Sequence, residues 1–210
     1  MPVTSIQAVV FDLVGTLLSP VVTDSPPRVR LLAKTQATLD HLLSIDVPVA
    51  IIDSSEDRCA SNAALKHGLD SWRPLLLAPP ARVERPLPCP DMPVNAALRI
   101  GATQFRRCLF VTASLDGVAA GLNAGFWTVG IALGGLLPGI DLTGWEKRSS
   151  AEQDRLRMDA TVRLMNAGAH YVIDGISELA GCLDDIEGRH GRRDTPQPLL
   201  REDARQLERL

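Results

Sequence analysis

An aspartate closes the run Gln7-Ala8-Val9-Val10-Phe11-Asp12, and Leu13-Val14-Gly15-Thr16 follows it. An apolar run of this length, ended by Asp and then by Gly-Thr, reads as a central parallel strand whose tip opens into a tight turn. Open α/β sheets bind ligands at such tips. A carboxylate held there can act as a nucleophile, as a metal ligand or as both. The alternative is an Asp that caps the next helix. A second apolar run, from Pro48, ends at Asp53 and delivers another carboxylate to a strand end. The four cysteines, Cys59, Cys89, Cys108 and Cys182, show no CxxC spacing and no neighbouring His cluster. They suggest neither a zinc site nor a disulfide scaffold and read as reduced packing residues.

These side chains need a sheet to position them. Short β-branched runs alternate with helical periodicity along the chain, which predicts βα units and a mostly parallel sheet. Strands are expected at 7–12, 48–53, 74–78, 107–112 and 127–133, with 170–174 as a sixth. Leu39, Leu42 and Leu43 give one helical face before the second strand, and Ser54 with Asp57 opens the next helix as a capping box. The longest helical stretch is expected at 151–167. Six prolines between Pro79 and Pro93 forbid regular structure and stiffen a loop leaving the third strand. The chain is 45% hydrophobic but only 4% aromatic. That composition suits an aliphatic core with helices on both faces of the sheet. Residues 1–187 are expected to form a single core domain. Residues 188–210 form a charged, Pro-interrupted tail carrying Leu199, Leu200, Leu207 and Leu210, either a mobile end or a docking helix.

The net charge of −3 leaves no electrostatic footprint for nucleic acid or an anionic membrane, although the basic residues are mostly Arg, 19 against 3 Lys. No signal-peptide pattern and no membrane-spanning apolar run is visible, so a cytoplasmic protein is expected.

The stretch Phe11-Asp12-Leu13-Val14-Gly15-Thr16, with later strands that each end in a polar residue, resembles the haloacid dehalogenase (HAD) superfamily of hydrolases. The segments Asn123 to Gly134 and Asn166 to Asp174 are similar to phosphonoacetaldehyde hydrolases, the phosphonatases, within it. Arg85-Pro86-Leu87-Pro88 resembles that family's Arg-Pro-aromatic-Pro motif. The resemblance implies a three-layer, Rossmann-like α/β core. It also implies that Asp12 attacks phosphorus, that Asp12 and the Val14 backbone carbonyl hold Mg²⁺, and that Ser54 hydrogen-bonds a phosphoryl oxygen. Ser55 is a close rival to Ser54. Arg85 would neutralise the nucleophile or the phosphate, and Gly15 stands with the phosphate-binding residues. Val14 fits the phosphonatase pattern, because ordinary superfamily phosphatases place a second Asp there as general acid.

Two departures bear on activity. Phosphonatases insert a helical cap that supplies a Schiff-base lysine, whereas Thr16 to Thr35 is too short for it and holds only Lys34. Without an imine as electron sink, the C–P bond has no evident route to cleavage. The family's fourth motif reads Val-Gly-Asp-Thr with a second acid four residues beyond its Asp. The aligned residues here are Val111-Thr112-Ala113-Ser114-Leu115-Asp116-Gly117, so both acids are missing, and Asp116 is the nearest substitute ligand. Any Mg²⁺ would then be weakly bound. The expected function is that of a cap-less phosphonatase relative, weakly active or non-catalytic. The alternative is a cap-less Mg²⁺-dependent hydrolase acting on a phosphate ester or phosphonate. A small phosphorylated or phosphonate ligand, a protein partner or a second copy are the expected partners.

Overall fold

The computed structural model describes residues 5–19, 31–54, 76–77, 85–134, 145, 147–192 and 194–196. Six strands form one parallel sheet: β1 (Ala8–Asp12), β2 (Val49–Ile52), β3 (Leu76–Leu77), β4 (Cys108–Thr112), β5 (Trp127–Ile131) and β6 (Tyr171–Ile173). Their order is β3-β2-β1-β4-β5-β6, with every pair parallel. The chain leaves β1 toward β2 and β3, then crosses back to place β4 on the other side of β1. That reversal opens a crevice at the carboxyl end of β1, where doubly wound sheets bind ligands.

Among the described residues, five α-helices cover the sheet: α1 (Thr35–Ser44), α2 (Asp91–Arg99), α3 (Leu115–Asn123), α4 (Ser150–Asn166) and α5 (Leu179–Gly191). Strand alternation explains why both faces need cover. Val9 and Phe11 of β1 pack with Leu39 and Leu42 of α1 and with Leu179, Leu183 and Ile186 of α5. Ala8 and Val10 face the other way, against Met92, Ala96 and Ala97 of α2 and Phe110 of β4. A third cluster seats α4 through Ala160 and Leu164 beside Val118 and Ala132. Burying each large aliphatic side chain contributes about 1.5–3 kcal/mol, so this double-sided core fixes β1 firmly.

The strands lie where the apolar runs predict them, with shifted ends. The third shrinks to Leu76–Leu77, and β5 stops at Ile131 because Ala132 and Leu133 enter a turn. The helix expected from Ser54 onward lies outside the described residues. Helix α5 runs through residue 188 to Gly191. Contacts with the rest of the core hold that last turn. Trp127 Nε1 donates to His190 Nε2 at 3.1 Å, and Ser5 Oγ lies 2.6 Å from His190 Nδ1. The remainder of the tail, from residue 197, lies outside the described residues.

Candidate functional site

Register brings the chemistry together. Asp12 pairs with Ile52, the residue before Asp53 and Ser54, while Phe11 pairs with Val111, the residue before Thr112. The tips of β1, β2 and β4 therefore end at one edge. Asp12 is buried, and both of its carboxylate oxygens have partners. Oδ1 accepts from the Ser54 hydroxyl at 2.7 Å and from the Leu13 N–H at 3.0 Å. Oδ2 accepts from the Thr112 hydroxyl at 3.3 Å. Burial pushes the Asp12 pKa up from 3.8 to about 6. The Ser54 and Leu13 donors oppose the rise, and the charge of nearby Asp53, itself buried, adds to it.

The β4 side of the site carries hydroxyls. Thr112 is wholly buried, and Ala113 presents an apolar methyl that is 1% exposed. Ser114 is the N-cap of α3, its hydroxyl accepting from the Gly117 N–H at 2.9 Å. A Cβ on Gly117 would fall 2.1 Å from Thr112 Oγ1, so only glycine fits beside that threonine. A Cβ on Gly134 would fall 2.0 Å from the Gly15 carbonyl oxygen and 2.6 Å from the Ala113 Cβ, so the turn after β5 closes directly onto the Asp12 loop.

The expected site residues do not all meet. Asp12 and Ser54 are joined. Gly15 sits in the turn with φ 77°, but its N–H donates to the Leu18 carbonyl at 2.7 Å. Val14 is half-buried and forms a bridge with Leu18. Ser55 lies outside the described residues. Arg85 is placed elsewhere: its side chain is 69% exposed and is held by Asp91 through Nε and Nη2, the shortest contact being 2.7 Å. A carboxylate six residues away on the first turn of α2 pairs with that guanidinium in a two-nitrogen grip. Asp116 makes no contact with Asp12 among the described residues. It is exposed in the first turn of α3, where a negative charge favours the helix N-terminus, and the capping role falls to Ser114. Two residues beyond the expected set emerge. Thr112 was visible as the threonine where the phosphonatase motif has glycine, and Thr16 holds a buried hydroxyl with no partner among the described residues.

No known family model matches the chain. A phosphonoacetaldehyde hydrolase of Aeromonas hydrophila is 35% identical over 109 residues, 52% of this chain and 39% of that protein. The chain thus spans well under half the length of the curated relatives it matches. A solved phosphonoacetaldehyde hydrolase like protein from Oleispira antarctica superposes with TM-score 0.70 and 30% identity, covering 80% of this chain and 60% of that one. The chain is similar to phosphonatase-like proteins of the HAD superfamily. A HAD family hydrolase from Deinococcus radiodurans, solved with bound phosphate and sodium, shares the fold at TM-score 0.61 and 22% identity, covering 87% of this chain and 97% of that one. Among the described residues of the phosphonatase-like chain, no helix is long and apolar enough to cross a membrane. Nor does any group of three or more His, Cys, Asp and Glu side chains gather to hold a metal ion among them. The divalent cation that the superfamily implies would find, among the described residues, the Asp12 carboxylate with the charge of Asp53 nearby.

Proposed function

We propose that the chain is a cap-less phosphonatase relative that binds a small phosphorylated or phosphonate ligand at the Asp12 edge and turns it over weakly or not at all. The observation that carries this reading is the pairing of Asp12 Oδ1 with the Ser54 hydroxyl at 2.7 Å, beside the buried methyl of Ala113. The nucleophile and its phosphoryl-binding neighbour are kept, while the acid that should support them is not. Chemistry at this edge would begin with Asp12 attacking phosphorus, forming an acyl phosphate and expelling the leaving group. Val14 cannot protonate a departing alkoxide, a loss typically worth about 10²–10⁴ in rate. A departing carbanion needs an imine. Lys34, the one lysine between Asp12 and Ser54, is exposed at the start of α1. Support for the cap-less state comes from the chain on either side of residues 20–30. Leu18 bridges Leu31, and the Leu32 N–H donates to the Leu17 carbonyl at 2.9 Å, so only a short connection separates two joined ends.

Calorimetric titration with orthovanadate, a phosphoryl mimic, tests the reading on the parent and Asp12→Asn proteins, alongside turnover of an aryl phosphate. Vanadate binding that Asp12→Asn abolishes, with turnover far below that of an ordinary phosphatase, is the expected result. Absence of any binding would remove the ligand site and leave an interaction protein, to be examined by size measurement with and without residues 197–210. The second reading is a Mg²⁺-dependent hydrolase for esters with good leaving groups, favoured by the half-buried Val14 turn and the buried Asp12. It predicts turnover that rises with Mg²⁺ and vanishes in chelator.

A further inference from the structure

The hydroxyls on the β4 side form a directed chain. The Gly117 N–H donates to Ser114 Oγ at 2.9 Å, Ser114 Oγ lies 3.4 Å from Thr112 Oγ1, and Thr112 Oγ1 lies 3.3 Å from Asp12 Oδ2. Ionised Asp12 can only accept, and the Gly117 N–H can only donate, so both intervening hydroxyl protons point the same way, toward Asp12. The Ser114 N–H adds a further donor to Thr112 Oγ1 at 3.3 Å. Successive donors polarise one another, which carries part of the positive end of α3 to a buried carboxylate through neutral groups.

The same residues remove the space for a cation's ligand. Thr112 and Gly117 are matched in volume: a side chain on Gly117 would meet Thr112 Oγ1 at 2.1 Å, Thr112 Cβ at 2.8 Å and Ser114 Oγ at 2.8 Å. An acid at position 117 therefore cannot coexist with Thr112 in its present place. At position 113 a methyl packs close to Gly134 instead of offering an oxygen. Mg²⁺ demands near-octahedral oxygen coordination at about 2.0–2.1 Å. Among the described residues, Asp12 has the charge of Asp53 nearby but no third His, Cys, Asp or Glu joins them, so the donors described fit such a shell poorly.

We propose that Thr112, Ser114 and Gly117 stand in for the metal: their hydroxyl relay holds Asp12 in a site that excludes Mg²⁺ and receives a tetrahedral oxyanion without it. The ligand class rests on the proposed function, whereas the exclusion of the metal rests on the relay and the Thr112–Gly117 fit alone. Thr112 acts here as a positioning residue, through Asp12.

The experiment is calorimetry with Mg²⁺ and, separately, with orthovanadate, on the parent protein and on a triple variant combining Thr112→Gly, Ala113→Asp and Gly117→Asp. The parent should take up no Mg²⁺ at millimolar concentration and bind vanadate equally in chelator and in Mg²⁺. The triple variant should gain saturable Mg²⁺ binding, tightened by at least the roughly 10–100-fold that supporting groups around a metal are worth. Mg²⁺ binding by the parent that Asp12→Asn abolishes would overturn the proposal, as would a folded triple variant that gains none. Should the triple variant not fold, the parent's Mg²⁺ titration still decides, together with a hydroxyl test. Thr112→Ser should keep the parent's vanadate affinity and Thr112→Val should lose about tenfold, the worth of one buried hydrogen bond; equal affinities would refute the relay. Vanadate that binds under neither condition would sink the ligand reading while the Mg²⁺ results still judge the exclusion.

Discussion

Replacing Asp12 by Asn should make the metal-free protein more stable above neutral pH, and by an amount that the structure sets. The carboxylate is buried, and burial raises its pKa from 3.8 to about 6 despite the Ser54 and Leu13 donors. The folded state therefore binds the Asp12 proton more tightly than the unfolded chain does. Stability from this group is fully present below about pH 4 and is lost as pH rises through about 6. At about 1.4 kcal/mol per pH unit, the loss between those values approaches 3 kcal/mol. Asparagine is nearly isosteric. Its carbonyl can still accept from Ser54 and Leu13, and its NH₂ can donate to Thr112 Oγ1, so the geometry survives without the charge. Urea denaturation of both proteins in chelator should give nearly equal stabilities at about pH 4 and a growing advantage for Asp12→Asn that levels off near pH 7. For a chain of this size about 3 kcal/mol corresponds to roughly 6–12 °C in melting temperature. A difference that stays constant with pH, or a variant less stable than the parent at about pH 8, would refute the claim that Asp12 is held at an electrostatic cost.

Gly117→Ala should destabilise the fold by about 1–3 kcal/mol through overpacking against Thr112, and Thr112→Gly should relieve it, a coupling visible in a double-mutant cycle. Additive losses would show that the two residues do not share a space. His170 should titrate well below the ordinary imidazole range. Burial lowers its pKa to about 4, with the Arg189 charge adding to the effect, and its Nδ1 accepts the Thr128 N–H at 3.0 Å. Stability from His170 is lost as pH falls from about 6.5 toward 4, opposite in sign to Asp12, and an NMR midpoint at or above 6.5 would contradict the burial. Arg85→Ala should leave both melting temperature and vanadate affinity unchanged, because the guanidinium is exposed and spent on Asp91. Loss of vanadate binding in that variant would return Arg85 to the site.

The sheet was legible because parallel strands buried on both faces leave continuous apolar runs, and the β1, β2 and β4 runs each end in the polar residue that matters. Ser54 came from the family resemblance, and the register of β1 with β2 is what sets it beside Asp12. Arg85 and Asp116 were harder for a physical reason. Sequence gives a charged side chain its position along the chain but not its partner. Asp91 captures the first, while the first turn of α3 turns the second outward. Thr112 stood out in the sequence only as a departure from the family motif, because its fit lies in the space it shares with Gly117 across the first turn of α3. Neither residue carries that signal singly.

A catalytic site that has merely decayed should show the physical marks of decay. Removing a cation and two acids from around a buried carboxylate would leave that carboxylate short of donors and the vacated volume open, and unpaired buried charge costs several kcal/mol. Among the described residues, the Asp12 carboxylate keeps its donors, although burial still holds it at an electrostatic cost. Both carboxylate oxygens have donors, the Gly117 N–H is capped, and the Ala113 methyl meets the backbone turn at Gly134. The bare glycine at 117 and the threonine at 112 fit each other in space, since a Cβ at 117 would fall 2.1 Å from Thr112 Oγ1. Thr16 Oγ1 is the exception, a buried hydroxyl of the Asp12 turn without a partner among the described residues. A paired Asp12 with one unspent donor beside it is the arrangement that the proposed metal-free site requires, and the Mg²⁺ titration tests it directly.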